Sequence, residues 1–496
     1  MNNTRQLKLG ALFAYLSIGI NIATGLLYTP WMIRSIGKSD YGLYTLAMSV
    51  ISLFVFDFGL SSAVTRFISK YKAEGDEKKI KLFMGTVYSL YLGIAIALFI
   101  FFTCFYFFIP YIYREVSPLE IEKFKVVYAI ASIFAVVSFP CIPQNGILTA
   151  NEKFIQLKGC DIINKLSVVC LMSVCLFMGF GLYALVTVNA ICGLLTIFLK
   201  YYFIYHSTST RALFHRISKH ELMTIFSYSG WVTLIALASR MIFNIMPTIL
   251  GIFAGAGDIA VFGVASILEG FVFTFANAIN GMFLPRVSRI VATPEGNVLP
   301  LMVKVGRIQI YITSLIIFGF IVCGKDFLTL WIGKDFDAVY AATILLMLPS
   351  LFHLPQEIAD QTVLAVNRVK EKAYIFLVMG GLNILLAILL VQRWGIIGIA
   401  TSIFIAYVVR TIGLDILYYR VLHIDIYSFF RQSYAKILPW LAFPLSIGIA
   451  FHYMFHLSGW TGLFTEGFVF VIVYIITIYY VTDASEKKLF FRFNIK

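Results

Sequence analysis

The chain is 496 residues long, 60% hydrophobic and only 13% charged, with a mean hydropathy of +0.88 and a formal net charge of +14. That composition excludes an ordinary soluble domain, because the apolar residues arrive in blocks of the roughly 20 residues that a helix needs to cross a bilayer. The seven cysteines all fall in or at the ends of apolar blocks, with no CxxC pair and no His/Cys clustering, so neither a disulfide, a metal site nor a cofactor is indicated.

The first block, Gly10 to Ile33, follows Arg5 and Lys8. It is longer than the roughly 7–15 apolar residues of a signal peptide and no small-residue cleavage site follows it, so it reads as a retained first span. Further blocks fall near 41–65, 82–109, 126–148, 160–179, 181–203, 222–253, 259–284, 307–323, 339–364, 374–392, 395–417, 438–456 and 465–482, fourteen in all. They are mostly too long and too evenly apolar for barrel strands of about 9–11 residues, so an all-α integral membrane protein is expected.

Lys and Arg placement sets the orientation. On the side of the N-terminus the loops hold 29 of these residues and on the other side eight, while Lys165 and Arg240 lie inside spans. Positively charged loops stay cytoplasmic, which predicts both termini inside. The same bias accounts for the net charge, so nucleic-acid binding is not indicated.

Two pairs of segments repeat. Pro30 to Lys70 and Pro247 to Ile290 share a proline in a span, a Gly/Asp turn, an aromatic-Gly start (Tyr41-Gly42, Phe262-Gly263) and a basic-Ser-basic exit, at an offset of 217 at the proline. Asn151 and Asn367 match at an offset of 216, and Gly181 and Gly395 at 214. The offset divides the chain into 1–220, 221–437 and a tail, 438–496, with six, six and two spans. Six is even, so both halves enter the membrane from one side as a parallel repeat of the transporter type. Gly42 should correspond to Gly263 and Asn151 to Asn367.

The segments "IGKSDYGLYTLAMSVISLFVFDFGLSSAVTRFISKY", "GMFLPRVSRI", "WIGKDF" and "VNRVKEKA…LNILLAILLVQRWGIIGIATSI", in this order and spacing, resemble the bacterial Wzx polysaccharide flippases of the multidrug/oligosaccharidyl-lipid/polysaccharide exporter superfamily. The resemblance implies no enzyme but a flippase in the inner membrane. It would move an undecaprenyl-diphosphate-linked repeat unit to the outer leaflet for O-antigen or other surface polysaccharide. Implied partners are that lipid-linked oligosaccharide, membrane lipids, a proton or sodium ion, and other polysaccharide assembly proteins.

Polar residues inside spans are costly and face a cavity or one another. In the tenth span His353, Glu357 and Asp360 recur at i, i+4, i+7, one helical face, and in the eighth Ser266, Glu269, Phe273, Asn277 and Asn280 form a stripe. Glu269, Glu357 and Asp360, with His353, are expected to form an acidic cluster that exchanges a coupling cation. The alternative is a polar network that only knits helices together. Arg240, with Asn244 one turn on and Pro247 bending the helix, is expected to grip the substrate's diphosphate, and the competing account is an Arg240–Glu269 ion pair. Asp57 should either face the cavity, as a substrate contact beside Asn280, or cap a neighbouring backbone. Arg410 with Asp415 reads as a snorkelling pair without function.

Two other classes compete with a flippase. A cation-coupled multidrug antiporter predicts the same fold with a smaller, more acidic and aromatic pocket. A membrane-bound polymerase or ligase predicts a long outer loop, and the longest here is about 16 residues.

Overall fold

The computed structural model describes residues 3–57, 60–214, 219–280, 283–293, 296–455 and 457–483, with backbone alone at 3–15, 17, 60, 62, 219–229, 232, 276–280, 284–285 and 335. All regular structure among the described residues is helical. In chain order the helices are α1 (Asn3–Ile36), α2 (Lys38–Phe54), α3 (Leu60–Ala73), α4 (Glu77–Ile112), α5 (Pro118–Ser138), α6 (Pro143–Ala150), α7 (Phe154–Phe177), α8 (Leu182–Ser207), α9 (Lys219–Phe243) and α10 (Met246–Phe253). There follow α11 (Ala256–Asn280), α12 (Leu284–Val291), α13 (Leu299–Trp331), α14 (Asp337–Met347), α15 (Ser350–His353), α16 (Glu357–Ala365), α17 (Val369–Arg420), α18 (Ile426–Gln432), α19 (Tyr434–Phe455) and α20 (Gly459–Val481).

Eleven stretches among the described residues are long and apolar enough to cross a membrane. One of them, α17, runs for 52 residues but bends at Gly395 (φ 49°, ψ −128°), so it supplies two of the expected spans. The first and second expected spans are α1 and the broken pair α2 and α3, which brings the layout to the fourteen read from the sequence. Start signals are local: the Asp76 carboxylate accepts the Lys79 amide at the head of α4, and Ser117 and Glu120 form a capping box at the head of α5. Large apolar side chains such as Phe107, Phe177, Met454 and Phe464 stand exposed, as a lipid-facing surface requires.

The chain folds as two compact units, one of residues 1–263 with 384–396 and the other of 264–383 with 397–496. In the first, α1 packs on α7, α7 on α8, α2 on α5, α3 on α6 and α10 on α2. Gly42 and Gly263 serve one crossing there. A Cβ on Gly42 would overlap the Ala256 carbonyl, and one on Gly263 would press on Thr45 and Tyr41, so the two repeat-matched glycines let α2 and the start of α11 approach closely. In the second unit α13 is the central helix, packed by α14, α16, α19 and α20. Tyr474 on α20 donates to the Tyr311 carbonyl on α13 at 2.7 Å.

The fourth and tenth expected spans break alike. A short 3-10 turn, Phe139–Cys141 or Leu354–Gln356, precedes α6 or α16, and each of these helices closes on a left-handed residue, Glu152 (φ 56°) or Asn367 (φ 59°). The closing hydrogen bonds match: Lys153 N–H to Leu148 and Glu152 N–H to Thr149 in one, Arg368 N–H to Val363 and Asn367 N–H to Leu364 in the other. The offset is constant at 215 (139 to 354, 150 to 365, 152 to 367), so Asn367 corresponds to Glu152 and not to Asn151. The one-residue slip arises because the left-handed position, not the asparagine, is what the turn requires.

At the end of α20, Asp483 accepts from Lys436 at 2.7 Å and from Arg307 at 2.5 Å, and these bonds hold its carboxyl below the usual carboxylate range. A depressed carboxylate contributes stability above its unfolded pKa and loses it as pH falls through the lower folded value. Asp483→Asn should therefore lower the melting temperature at neutral pH and leave it unchanged at the acid end, measured on purified protein in detergent. Gly42→Ala should lower it at every pH, because a backbone carbonyl cannot move aside for the new methyl.

Candidate functional site

In the first unit the polar residues gather where the second span breaks. α2 ends at Phe54 and α3 begins at Leu60, so the last carbonyls of α2 and the first amides of α3 lack helical partners in the middle of a span. Both ends are served by side chains. The Asp57 carboxylate accepts the Ser61 amide at 3.0 and 3.1 Å, the Ser61 hydroxyl at 2.9 Å and the hydroxyl of fully buried Tyr91 at 2.8 Å. Of the two placements the sequence leaves open for Asp57, the structure shows the capping one. Negative charge at a helix N-terminus is also what the helix dipole favours.

The other end is held from α9. Arg240 Nη1 donates to the Ser52 carbonyl, one of the unpaired carbonyls of α2, and the guanidinium lies 5.4 Å from the centre of the Phe56 ring. Asn244 Nδ2 donates to the Ser52 hydroxyl. Asn244 itself sits in the turn between α9 and α10, where Pro247 in the first turn of α10 interrupts the span as the sequence predicts. Arg240 thus meets a helix end. Ser52 is the residue that sequence reasoning missed, since a serine in a span gives no sign that its carbonyl is free.

In the second unit the tenth span departs from expectation. His353, Glu357 and Asp360 do not lie on one continuous helix, because Pro349 and Pro355 interrupt it and Leu354–Gln356 form a 3-10 turn between α15 and α16. Nor is the group purely acidic. Asp360 pairs with Lys372 at 2.6 Å, both side chains nearly buried, and Glu357 accepts from Gln361 at 2.7 Å with Asp360, Lys372 and Arg410 in electrostatic reach. Arg410 stacks over Phe376 and Tyr407, at 4.7 and 5.4 Å. The His353 ring lies 5.3 Å from Tyr407, with its Nδ1–H donating to the Pro349 carbonyl at 3.1 Å. Two carboxylates and two cations therefore offset one another, and Arg410, read from the sequence as snorkelling with Asp415, stacks on aromatic rings beside them. Glu269 is buried on α11, in electrostatic reach of Tyr407. The side chains of Asn277 and Asn280 lie outside the described residues.

Comparison with known proteins now decides the family. The model described as polysaccharide biosynthesis protein matches residues 8–291, more than half of the chain. The chain belongs to that family. No curated protein matches this chain in sequence. Its fold is shared with the structure titled lipid II flippase MurJ in an inward closed conformation (16% identity, TM-score 0.75), which covers 95% of this chain and is itself covered to 98%. It is also shared with an inward-facing multidrug resistance transporter of the MATE family within the MOP superfamily (13%, TM-score 0.63, 84% and 97% covered). A third relative is the eukaryotic MATE transporter AtDTX14 (16%, TM-score 0.59, 87% and 98% covered). The family member described here is thus an all-α, multi-pass membrane protein of transporter architecture.

Both ends of the broken span are testable. Arg240→Ala orphans the Ser52 carbonyl and should cost about 1.5–3 kcal/mol, the value of a bond to a charged group. Asp57→Ala should cost roughly 0.5–2 kcal/mol as a lost cap. In a double-mutant cycle Asn244→Ala and Ser52→Ala should be less than additive in unfolding midpoint, and strict additivity would show that the two side chains do not meet.

Proposed function

We propose that this protein is a flippase. It carries an undecaprenyl-diphosphate-linked oligosaccharide repeat unit from the cytoplasmic to the outer leaflet of the bacterial inner membrane by alternating access, for O-antigen, lipopolysaccharide or capsule. One joint observation carries this reading: a polysaccharide biosynthesis match over 8–291 together with a lipid II flippase architecture that accounts for 95% of the chain. The two multidrug transporters account for 84% and 87%, which favours the flippase over the antiporter. In this reading 1–220 and 221–437 act as six-span lobes, 438–496 is appended, and the 29 Lys and Arg on the side of the N-terminus support cytoplasmic termini.

The substrate's diphosphate needs a cation in a water-poor setting, and a guanidinium binds phosphate oxygens by charge-assisted, often bidentate bonds. Arg240 supplies it, with Asn244 contributing hydrogen bonds and Asp57 holding α3. Because Arg240 also holds the end of α2, a phosphate drawing on the same guanidinium would release that end, which ties binding to movement of α2. Glu269, Glu357 and Asp360, with His353, take the coupling proton or sodium. The Lys372 and Arg410 charges beside two of these carboxylates make one added or lost cation enough to unbalance the group.

In cells lacking the protein, the lipid-linked oligosaccharide should accumulate on the cytoplasmic leaflet. Wild type should restore surface polysaccharide, and Arg240→Ala and Arg240→Lys, at normal membrane levels, should restore less than about a tenth of it, since a lost charge-assisted bond is worth a factor of ten or more. Accumulation on the outer leaflet would overturn the flippase reading. Full activity of Arg240→Lys would remove the bidentate role. Flipping in vesicles should also respond to collapse of the ion gradient in wild type and lose that response in Glu269→Gln or Glu357→Gln.

A further inference from the structure

Three ligand-type side chains that lie far apart in the sequence meet in the second unit. Asp326 stands near the end of α13, His452 near the end of α19 and Glu466 eight residues into α20. Their ligand atoms all lie within 4.8 Å of one another. His452 Nδ1 is 3.2 Å from Glu466 Oε2 and 3.6 Å from Asp326 Oδ2. Ligands held about 2.0–2.2 Å from one ion in tetrahedral array stand roughly 3.3–3.6 Å apart, so the spacing already suits coordination.

A second observation points to a ligand. Glu466 is 2% exposed, and its Oε1 makes no hydrogen bond among the described residues. A buried carboxylate oxygen without a partner is costly. An ion pair with His452 alone engages Oε2 and leaves Oε1 unanswered, whereas a cation seated between the three side chains can draw on both oxygens. Access is available, since the Asp326 and His452 side chains are 39% and 29% exposed.

The donor set selects the ion. An imidazole with two carboxylates suits borderline divalent metals and is foreign to sodium, magnesium and calcium sites, which take oxygen ligands. Zinc, which imposes no geometry through its d electrons and takes His nitrogen and carboxylate oxygen at about 2.0–2.2 Å, fits this set of three. We propose that Asp326, His452 and Glu466 form a binding site for a divalent transition metal of the zinc class, which ties the α19 and α20 hairpin to α13.

The test uses the full chain, purified in detergent, stripped with chelator and dialysed against Zn²⁺. Wild type should retain about one Zn²⁺ per chain, and its melting temperature should rise with added Zn²⁺. His452→Ala and Asp326→Asn should each bind at least about tenfold more weakly and lose most of that rise. Asp326→Asn, the more exposed and nearly isosteric change, keeps the test valid should His452→Ala fail to give a single folded species. Substoichiometric zinc on wild type, or unchanged retention in the Asp326→Asn and His452→Ala double variant, overturns the proposal.

Discussion

A helix that stops inside a bilayer exposes unpaired carbonyls at one end and unpaired amides at the other, and lipid offers neither a partner. The interruption between α2 and α3 is the constraint on which the first unit depends. Arg240 answers the carbonyl end and Asp57 the amide end, each with the charge that the helix dipole prefers there. Two residues that look extravagant in an apolar chain are therefore what make a broken span tenable. The two ends are held by separate side chains, one from α9 and one from the segment between α2 and α3 that carries Asp57.

The second unit solves a related problem by neutralisation. Its half-buried carboxylates on α16 lie among Lys372 and Arg410, with aromatic rings of Phe376 and Tyr407 covering the cations. Such a balanced group is stable as it stands and sensitive to a single added or removed charge, which is the property a coupling site needs. The same arrangement would also serve a purely structural network, and the difference lies in whether transport responds to the ion gradient.

The two interrupted spans of the repeat, at 139–153 and 354–368, share their backbone hydrogen bonds and differ in chemistry. At equivalent positions stand Asn145, which accepts from Lys200 at 3.0 Å, and Asp360, which accepts from Lys372 at 2.6 Å. Lys200 pairs with Asp161 as well, at 2.9 Å, so a lysine from elsewhere in the chain meets each break, and an amide stands in the first where the second has a carboxylate. The fold itself is shared with a lipid flippase and a multidrug transporter, so what distinguishes one function from another lies in side chains and not in the architecture.

Composition and block length by themselves determined that this is a helical, multi-pass membrane protein, because hydrophobic length is a property of each segment alone. The repeat was legible for the same reason: Gly42, Gly263 and the turns around 151 and 367 are local features. The polar residues were also visible, since charge inside an apolar run stands out at Asp57, Arg240, Glu269 and Glu357. What each of them touches was decided only by tertiary structure. Ser52 lies 188 residues from Arg240 and Lys372 lies 12 residues from Asp360 across a turn, and no periodicity connects them. Pro355 turned an apparent helical stripe into two short pieces, and Arg410 was brought to His353 by the folding of α17. Partner choice depends on which helices pack together, and in a chain whose helices are uniformly apolar the sequence of any one helix carries little record of its neighbours.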